Sequence, residues 1–418
     1  MISCPLNQDV NMSNKSTLVR LSELARLFFK LGIISFGGPA AHIAMMEDEV
    51  VNRRQWITRS HFLDLVGATN LIPGPNSTEM AIHIGFIYAG WLGLIVAGVC
   101  FIFPAVLITA SLAWVYLTLG KLPLVTSLLY GIKPAVLGVI LNAVWKLGKS
   151  AIKTRQLLII SLAVAAISFL GINEVLAILM GGLIGMIWLC SNNKGNPPQE
   201  QTATIIATGL TTGAVEILQD KPVTIAAATS AIASSANVPL WQLGWFFFKV
   251  GSVLFGGGYV LVAFLEGGLV QEHGWLTQQQ LLDAIAIGQF TPGPVLSTAT
   301  FIGYLISGIP GAIVATVAIF LPSFFFVAAL NPFIPRLRRS QWTSAFLDAV
   351  NASAVALMAV VMLQLAVSTL IMPKIDWVAS AIALVAGVLA IRFRVNAAWL
   401  VLGSALVGWV FKTVLSFV

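Results

Sequence analysis

The chain contains one unit twice. "FFKLGIISFGG" at 28–38 returns as "FFKVGSVLFGG" at 247–257, an offset of 219 residues with seven of eleven positions identical. The offset holds through Glu47/Glu266, Trp56/Trp275, Thr58/Thr277 and Asp64/Asp283, to Pro73-Gly74-Pro75 and Pro292-Gly293-Pro294. After a one-residue slip it runs on through Gly85/Gly303, Gly90/Gly308, Gly93/Gly311 and Pro104/Pro322. A fold for this chain must therefore build the same unit twice. Each unit also breaks an apolar stretch with Pro-Gly-Pro. Proline ends a helix and leaves a carbonyl without its partner. Inside a membrane that is costly unless protein or a water-filled cavity satisfies the backbone.

A membrane is what the composition demands. Hydrophobic residues make up 58% of the chain and charged residues only 9%, against roughly 25% charged in a soluble domain. Apolar segments of about 20 residues recur along the length, which predicts an all-α, polytopic helical bundle embedded in a lipid bilayer. The strict alternation of a transmembrane β-barrel is absent. The net charge of +7 reads as loop lysines and arginines held on the cytoplasmic side rather than as a nucleic-acid surface. Cys4, Cys100 and Cys190 are scattered and odd in number, so they offer neither a disulfide framework nor a metal spacing. No cofactor is called for. The start, "MISCPLNQDVNMSNKS", lacks the apolar core of a cleaved signal peptide.

The expected organisation is a tail (1–19), a first membrane repeat (20–190), a linker (191–238) and a second repeat (239–418). Each repeat reads as a Gly-broken segment, a short helix pair around PGP, and four longer segments. The arms of the PGP pair are too short to cross a hydrocarbon core of about 30 Å at 1.5 Å per residue. They predict a re-entrant pair or a broken span. Charge then sets orientation. In the first half Arg53, Arg54 and Arg59 follow the Gly-broken segment, and Lys146, Lys149, Lys153 and Arg155 fall two loops later. In the second half "QEHGWLTQQQ" has no Lys or Arg, whereas "PRLRRS" and "IRFR" are basic. By the positive-inside rule the two repeats have inverted topology, giving about ten spans plus two re-entrant pairs.

Inverted repeats with broken helices are a pattern of secondary transporters. A half-helix N-terminus presents free N–H groups and a positive dipole end, which suits an anion. Pro75 and Pro294 fit the first helical position. The candidate substrate-binding residues are therefore Pro73, Gly74, Pro75, Asn76, Ser77 and Thr78, with Pro292, Gly293, Pro294 and Ser297 in the second copy. The glycine pairs Gly37–Gly38 and Gly256–Gly257 join them. Lys30 and Lys249 are matched lysines in apolar segments; each either contacts substrate or snorkels to the interface. Lys133, aligned with Asn351, carries the same two readings. Glu79 and His83 share one helix face and could relay protons, as could Glu47. Asp64 and Asp283 sit early in the helix that leads to PGP, where the helix dipole accounts for them.

The residues from FGG through a Trp about twenty positions on, PGP and a late Phe-Pro resemble the chromate ion transporter (CHR) family, in its long two-domain form. The resemblance spans about residues 20–415. Its motifs fall on Phe36, Gly37, Gly38, Pro39, Trp56, Pro73, Gly74, Pro75, Gly85, Gly93 and Pro104. In the second half they fall on Phe255, Gly256, Gly257, Pro292, Gly293, Pro294 and Pro322. The second half departs at Gly258, which stands for Pro39, and at Val295, which stands for Asn76. The resemblance implies export of chromate, with sulfate as its competitor, across the bacterial cytoplasmic membrane. It also implies chromate resistance and drive from the membrane potential or proton gradient. A homodimer is one assembly open to such a bundle. Two other readings remain: transport of a different small oxyanion, and an intramembrane hydrolase. The second lacks any HExxH or GxSxG cluster.

Overall fold

The structure, a computed structural model, describes residues 16–36, 38–70, 72–120, 122–169, 173–192, 238–255, 258–330, 340–371 and 376–415. All fourteen α-helices among them belong to two matching series, and the described residues contain no strand. The first series is α1 (Thr17–Ile34), α2 (Pro39–Glu47), α3 (Arg59–Thr69), α4 (Asn76–Leu119), α5 (Pro123–Ala151), α6 (Arg155–Phe169) and α7 (Glu174–Asn192). The second is α8 (Leu240–Val253), α9 (Leu261–Leu265), α10 (Gln278–Phe290), α11 (Thr298–Leu330), α12 (Gln341–Ala366), α13 (Trp377–Arg392) and α14 (Ala397–Leu415). One irregularity matches as well: a π-turn follows α2 (Asp48–Arg53) and another follows α9 (Glu266–Glu272). The 191–238 linker lies almost wholly outside the described residues.

Local chemistry explains the repeat. Matched threonines cap the helices that lead to PGP. Thr58 accepts a hydrogen bond from the His61 N–H at 3.3 Å, and Thr277 forms a capping box with Gln280. Each cap satisfies backbone donors that the first turn leaves free. Beyond PGP, α4 and α11 each fold sharply back. Ala89 and Gly90 adopt φ/ψ of −141/24 and 65/−150, and Ser307 and Gly308 repeat this with −141/25 and 62/−148. The second conformation is essentially glycine's alone. The reversal brings Gly85 against Gly93 and Gly303 against Gly311, so closely that a Cβ on any of the four would strike the opposing carbonyl. The Gly85/Gly303 and Gly93/Gly311 matches thus serve one close-packed helical corner each.

Past the corner, residues 91–119 are long enough to cross a membrane. Leu92, Ile95, Val99, Phe103 and Leu107 form an exposed apolar stripe along them at helical spacing, the face such a helix gives to lipid. Among the described residues, five helices are long and apolar enough to span: 76–119, 125–151, 174–191, 295–329 and 341–371. Residues 155–169, 377–392 and 397–413 form shorter apolar helices. The Gly-broken segment near 20–50 is two helices, α1 and α2, parted at Ser35–Gly38.

The halves interlock head to tail. Matched helices α5 and α12 run antiparallel. Lys153 at the end of α5 pairs with Asp348 near the start of α12 at 3.3 Å. At the other ends, Thr126 and Lys133 share a cavity with Ser368 and Thr369. Each then packs on the last two helices of the other half: α5 on α13 and α14, α12 on α6 and α7. Leu94 with Val327 and Gly98 with Phe324 set 91–119 antiparallel to α11 in the same way. Corresponding spans pointing in opposite directions are what inverted repeats require.

Candidate functional site

Each PGP loop is held by the opposite half. The Gly74 N–H donates to the Leu254 carbonyl at 2.7 Å, and the Gly293 N–H donates to the Ser35 carbonyl at 2.9 Å. The two acceptors are themselves matched, each being the residue just past the first helix of its repeat. Gly74 and Gly293 have φ of 144° and 88°, where a side chain is strained. Space is closed as well. A Cβ on Gly293 would sit 2.9 Å from Ala105 Cβ and 3.1 Å from the Gly32 oxygen, and one on Gly74 would overlap Glu79 Oε1 and Ser323 Oγ. Pro75 and Pro294 stand one residue earlier than the sequence suggests. Each is the N-cap, Pro75 of α4 and Pro294 of the short 3₁₀ turn Val295–Ser297.

The two loops line different cavities. Ile72 and Asn76 border one of about 380 Å³, with Asn70, Lys153, Asp348 and Asn351. There Asn76 Nδ2 is already bonded to Asn70 Oδ1 at 2.7 Å. Thr291 and Gly293 border the other, of about 280 Å³. This second cavity draws on both halves: Ser35, Gly38 and His42 from the first break, Asn142 and Lys146 from α5, and Arg394 and Asn396 from the α13–α14 corner. Ser35 Oγ, both His42 ring nitrogens and Asn142 Oδ1 are buried without a hydrogen-bond partner. The His42 ring leans toward the Ser35 backbone without closing a bond. Buried polar atoms are nearly always paired, so these converging orphans mark a place for a polar guest. Lys146 and Arg394 are exposed and give the mouth positive charge.

The other predicted site residues are spread more widely. Gly37, Gly256 and Gly257 lie outside the described residues. Ser77, Thr78 and Ser297 are buried, and the Thr78 and Ser297 hydroxyls are unpartnered. Glu79 and His83 have no exposure at all, and none of their side-chain polar atoms has a partner. Pro73 and Pro292 are buried beside their glycines. Lys30 is half exposed and 3.1 Å from Glu49, which Arg54 also holds at 3.3 Å. Burial alone raises the Glu49 pKa, yet these cations bring it below its ordinary value. Lys249 stands 6.0 Å over the Phe246 ring. Glu47 pairs with Arg59 at 3.3 Å. Trp56 stacks on Tyr88 at 3.9 Å between centroids, with the Arg54 guanidinium over it.

Sequence reasoning assigned no site role to Lys146, Arg394 or Asn142. The two cations read as inside-loop charges, and only their return beside a PGP loop distinguishes them. Arg394 carries a left-handed φ of 53°, which no local pattern announces.

Antiparallel repeats, helices broken near paired proline motifs and a polar cavity between halves define a membrane protein of the transporter class. The chain belongs to the chromate transporter family, whose model matches residues 22–186 and 241–409. It is 33% identical to a chromate transport protein of Cupriavidus metallidurans over 394 residues, covering 93% of each chain. It is 30% identical over 335 residues to a probable chromate transport protein of Synechococcus elongatus, covering 80% of this chain and 81% of that one. Similarity to a chromate transport protein of Pseudomonas aeruginosa is 28% over 392 residues, covering 93% and 91%. No solved structure matches.

Proposed function

We propose that this protein exports chromate from the bacterial cytoplasm as a secondary active transporter of the cytoplasmic membrane, and so confers chromate resistance. Sulfate, of like shape and charge, is the alternative cargo. The observation that carries the reading is the cavity beside Gly293, where unpartnered Ser35, His42 and Asn142 atoms meet the charges of Lys146 and Arg394. Family membership supports the cargo. A tetrahedral dianion suits hydroxyl and N–H donors with cations at the rim better than a dry ion pair, which carries a large desolvation cost. Asn142 adapts by rotating its amide to offer nitrogen in place of oxygen.

In this reading Gly38 and Gly293 keep the cavity floor free of side chains, and Gly37, Gly256 and Gly257 stay substrate-site candidates from the repeat pattern. The first PGP, with Asn76, Ser77 and Thr78, borders a second opening beside Lys153, at the same end of α5 as Lys146, and Ser297 matches Thr78 in the second copy. Glu79 and His83 are candidates for carrying a coupled proton inside the first half. Lys30, Lys249 and Glu47 act at the interface. Basic loops border the Lys146–Arg394 mouth, so the positive-inside rule faces it to the cytoplasm, as export requires. The test is uptake of radiolabelled chromate into inverted membrane vesicles, with sulfate as competitor. Uptake that chromate saturates supports the proposal. Sulfate uptake that chromate does not inhibit transfers the function to the alternative.

A further inference from the structure

A larger cavity, of about 570 Å³, opens between α4, α5, α10, the turn after α12, α13 and α14 and is not part of the site above. Its wall holds an ion pair between a partly exposed lysine and a buried carboxylate. Lys133 Nζ lies 3.6 Å from Asp283 Oδ2, and the Tyr116 hydroxyl donates to the same oxygen at 2.8 Å. Asp283 is 2% exposed, and its other oxygen, Oδ1, is buried with no partner. The arrangement is lopsided: one carboxylate oxygen is shared by two donors and the other has none. Across the cavity, Tyr130 bonds Asp376 at 2.7 Å and Lys412 stands over the Tyr130 ring at 5.1 Å. The charged and titratable groups facing the pair are thus Tyr116, Tyr130, Asp376 and Lys412.

Symmetry of the repeat does not account for the pair. Lys133 matches Asn351, and Asp64, the match of Asp283, is exposed. Nor does the pair stand apart from the anion cavity, because the same two helices line both. Lys133 lies on α5 with Asn142 and Lys146, about 14 and 20 Å further along at 1.5 Å per residue. Asp283 lies on α10, which ends at the second PGP. Gln278 and Gln279 on the cavity wall follow the loop without Lys or Arg, which the positive-inside rule assigns to the outer face.

We infer that Asp283 and Lys133 form the proton-binding switch of the transport cycle, opposite the anion mouth. A proton entering from the outer face bonds to Asp283 Oδ1 and neutralises the carboxylate. Lys133 keeps its own proton, loses its counter-ion and releases α10 from α5. Departure of that proton restores the pair. Proton entry and anion exit then act on the same helix contact from its two ends. The inference rests on the transport reading above.

The test uses the full chain in vesicles with radiolabelled chromate. Two fluxes are compared: exchange at equal pH on both sides, and net flux driven by a pH gradient. Asp283→Asn is expected to keep exchange and lose stimulation by the gradient, and Asp283→Glu to recover it. Gradient stimulation of Asp283→Asn equal to wild type overturns the switch and leaves transport standing. So does loss of exchange together with driven flux, which assigns the pair to the fold. A wild type that exchanges chromate but ignores the gradient also overturns it. A wild type with neither flux overturns the transport reading and the switch with it.

Discussion

The backbone N–H of Gly293 donates to the carbonyl of Ser35 at 2.9 Å, tying the second PGP loop to the end of the first half's opening helix. The reciprocal bond from Gly74 to Leu254 makes the tie two-fold. Each loop is thus tied by a backbone bond to the other half. Gly293→Ala adds backbone strain of about 1–3 kcal/mol and drives a Cβ against Ala105 and the Gly32 carbonyl. Gly90→Ala carries the same kind of strain, but its Cβ meets nothing within 4 Å. Thermal unfolding in detergent should rank Gly293→Ala below Gly90→Ala, with both below wild type. Equal melting of the two variants would show that the Gly293 contact is slack.

Acid should loosen the α1–α2 corner. Glu49 has its pKa lowered despite burial, because Lys30 and Arg54 hold the ionised form. A depressed carboxylate stabilises the fold above its unfolded pKa, and that contribution fades as pH falls through the folded value. With the cations partly exposed, the network is worth about 1 kcal/mol. Glu49→Gln should lower the melting temperature near neutral pH and flatten its decline below pH 5. A decline as steep as in wild type would place the acid-sensitive group elsewhere.

Much of this architecture is legible in the sequence because glycine and proline leave fixed marks. PGP, Gly90/Gly308 and the Gly85–Gly93 spacing each answer a backbone requirement that other residues meet poorly. The repeat offset therefore carried over into element order, caps and corners. Span lengths were harder to read, since an apolar run does not say where a helix stops. The cavity was hardest. Lys146 and Arg394 lie 248 residues apart and meet only because α5 packs on the other half's last helices. Lys30 looked embedded, but its partner Glu49 comes from a turn that the pattern did not position.

Inverted repeats have a direct consequence for topology. Tags inserted in the loops at Arg54 and at Glu272 should be reached from opposite sides of the membrane in intact cells. Labelling of both from the cytoplasm alone would contradict the antiparallel pairing of α5 with α12.

If the anion is taken up at the cavity beside Gly293, chromate binding to the purified protein, measured by equilibrium dialysis, depends on the cations at its mouth. Lys146→Gln and Arg394→Gln each remove a charged contact worth about 1.5–3 kcal/mol, so binding should weaken by roughly tenfold or more. Lys153→Gln, at the cavity beside the first PGP, should bind as wild type does. Weakened binding in Lys153→Gln with Lys146→Gln and Arg394→Gln unchanged would move the site to the other loop.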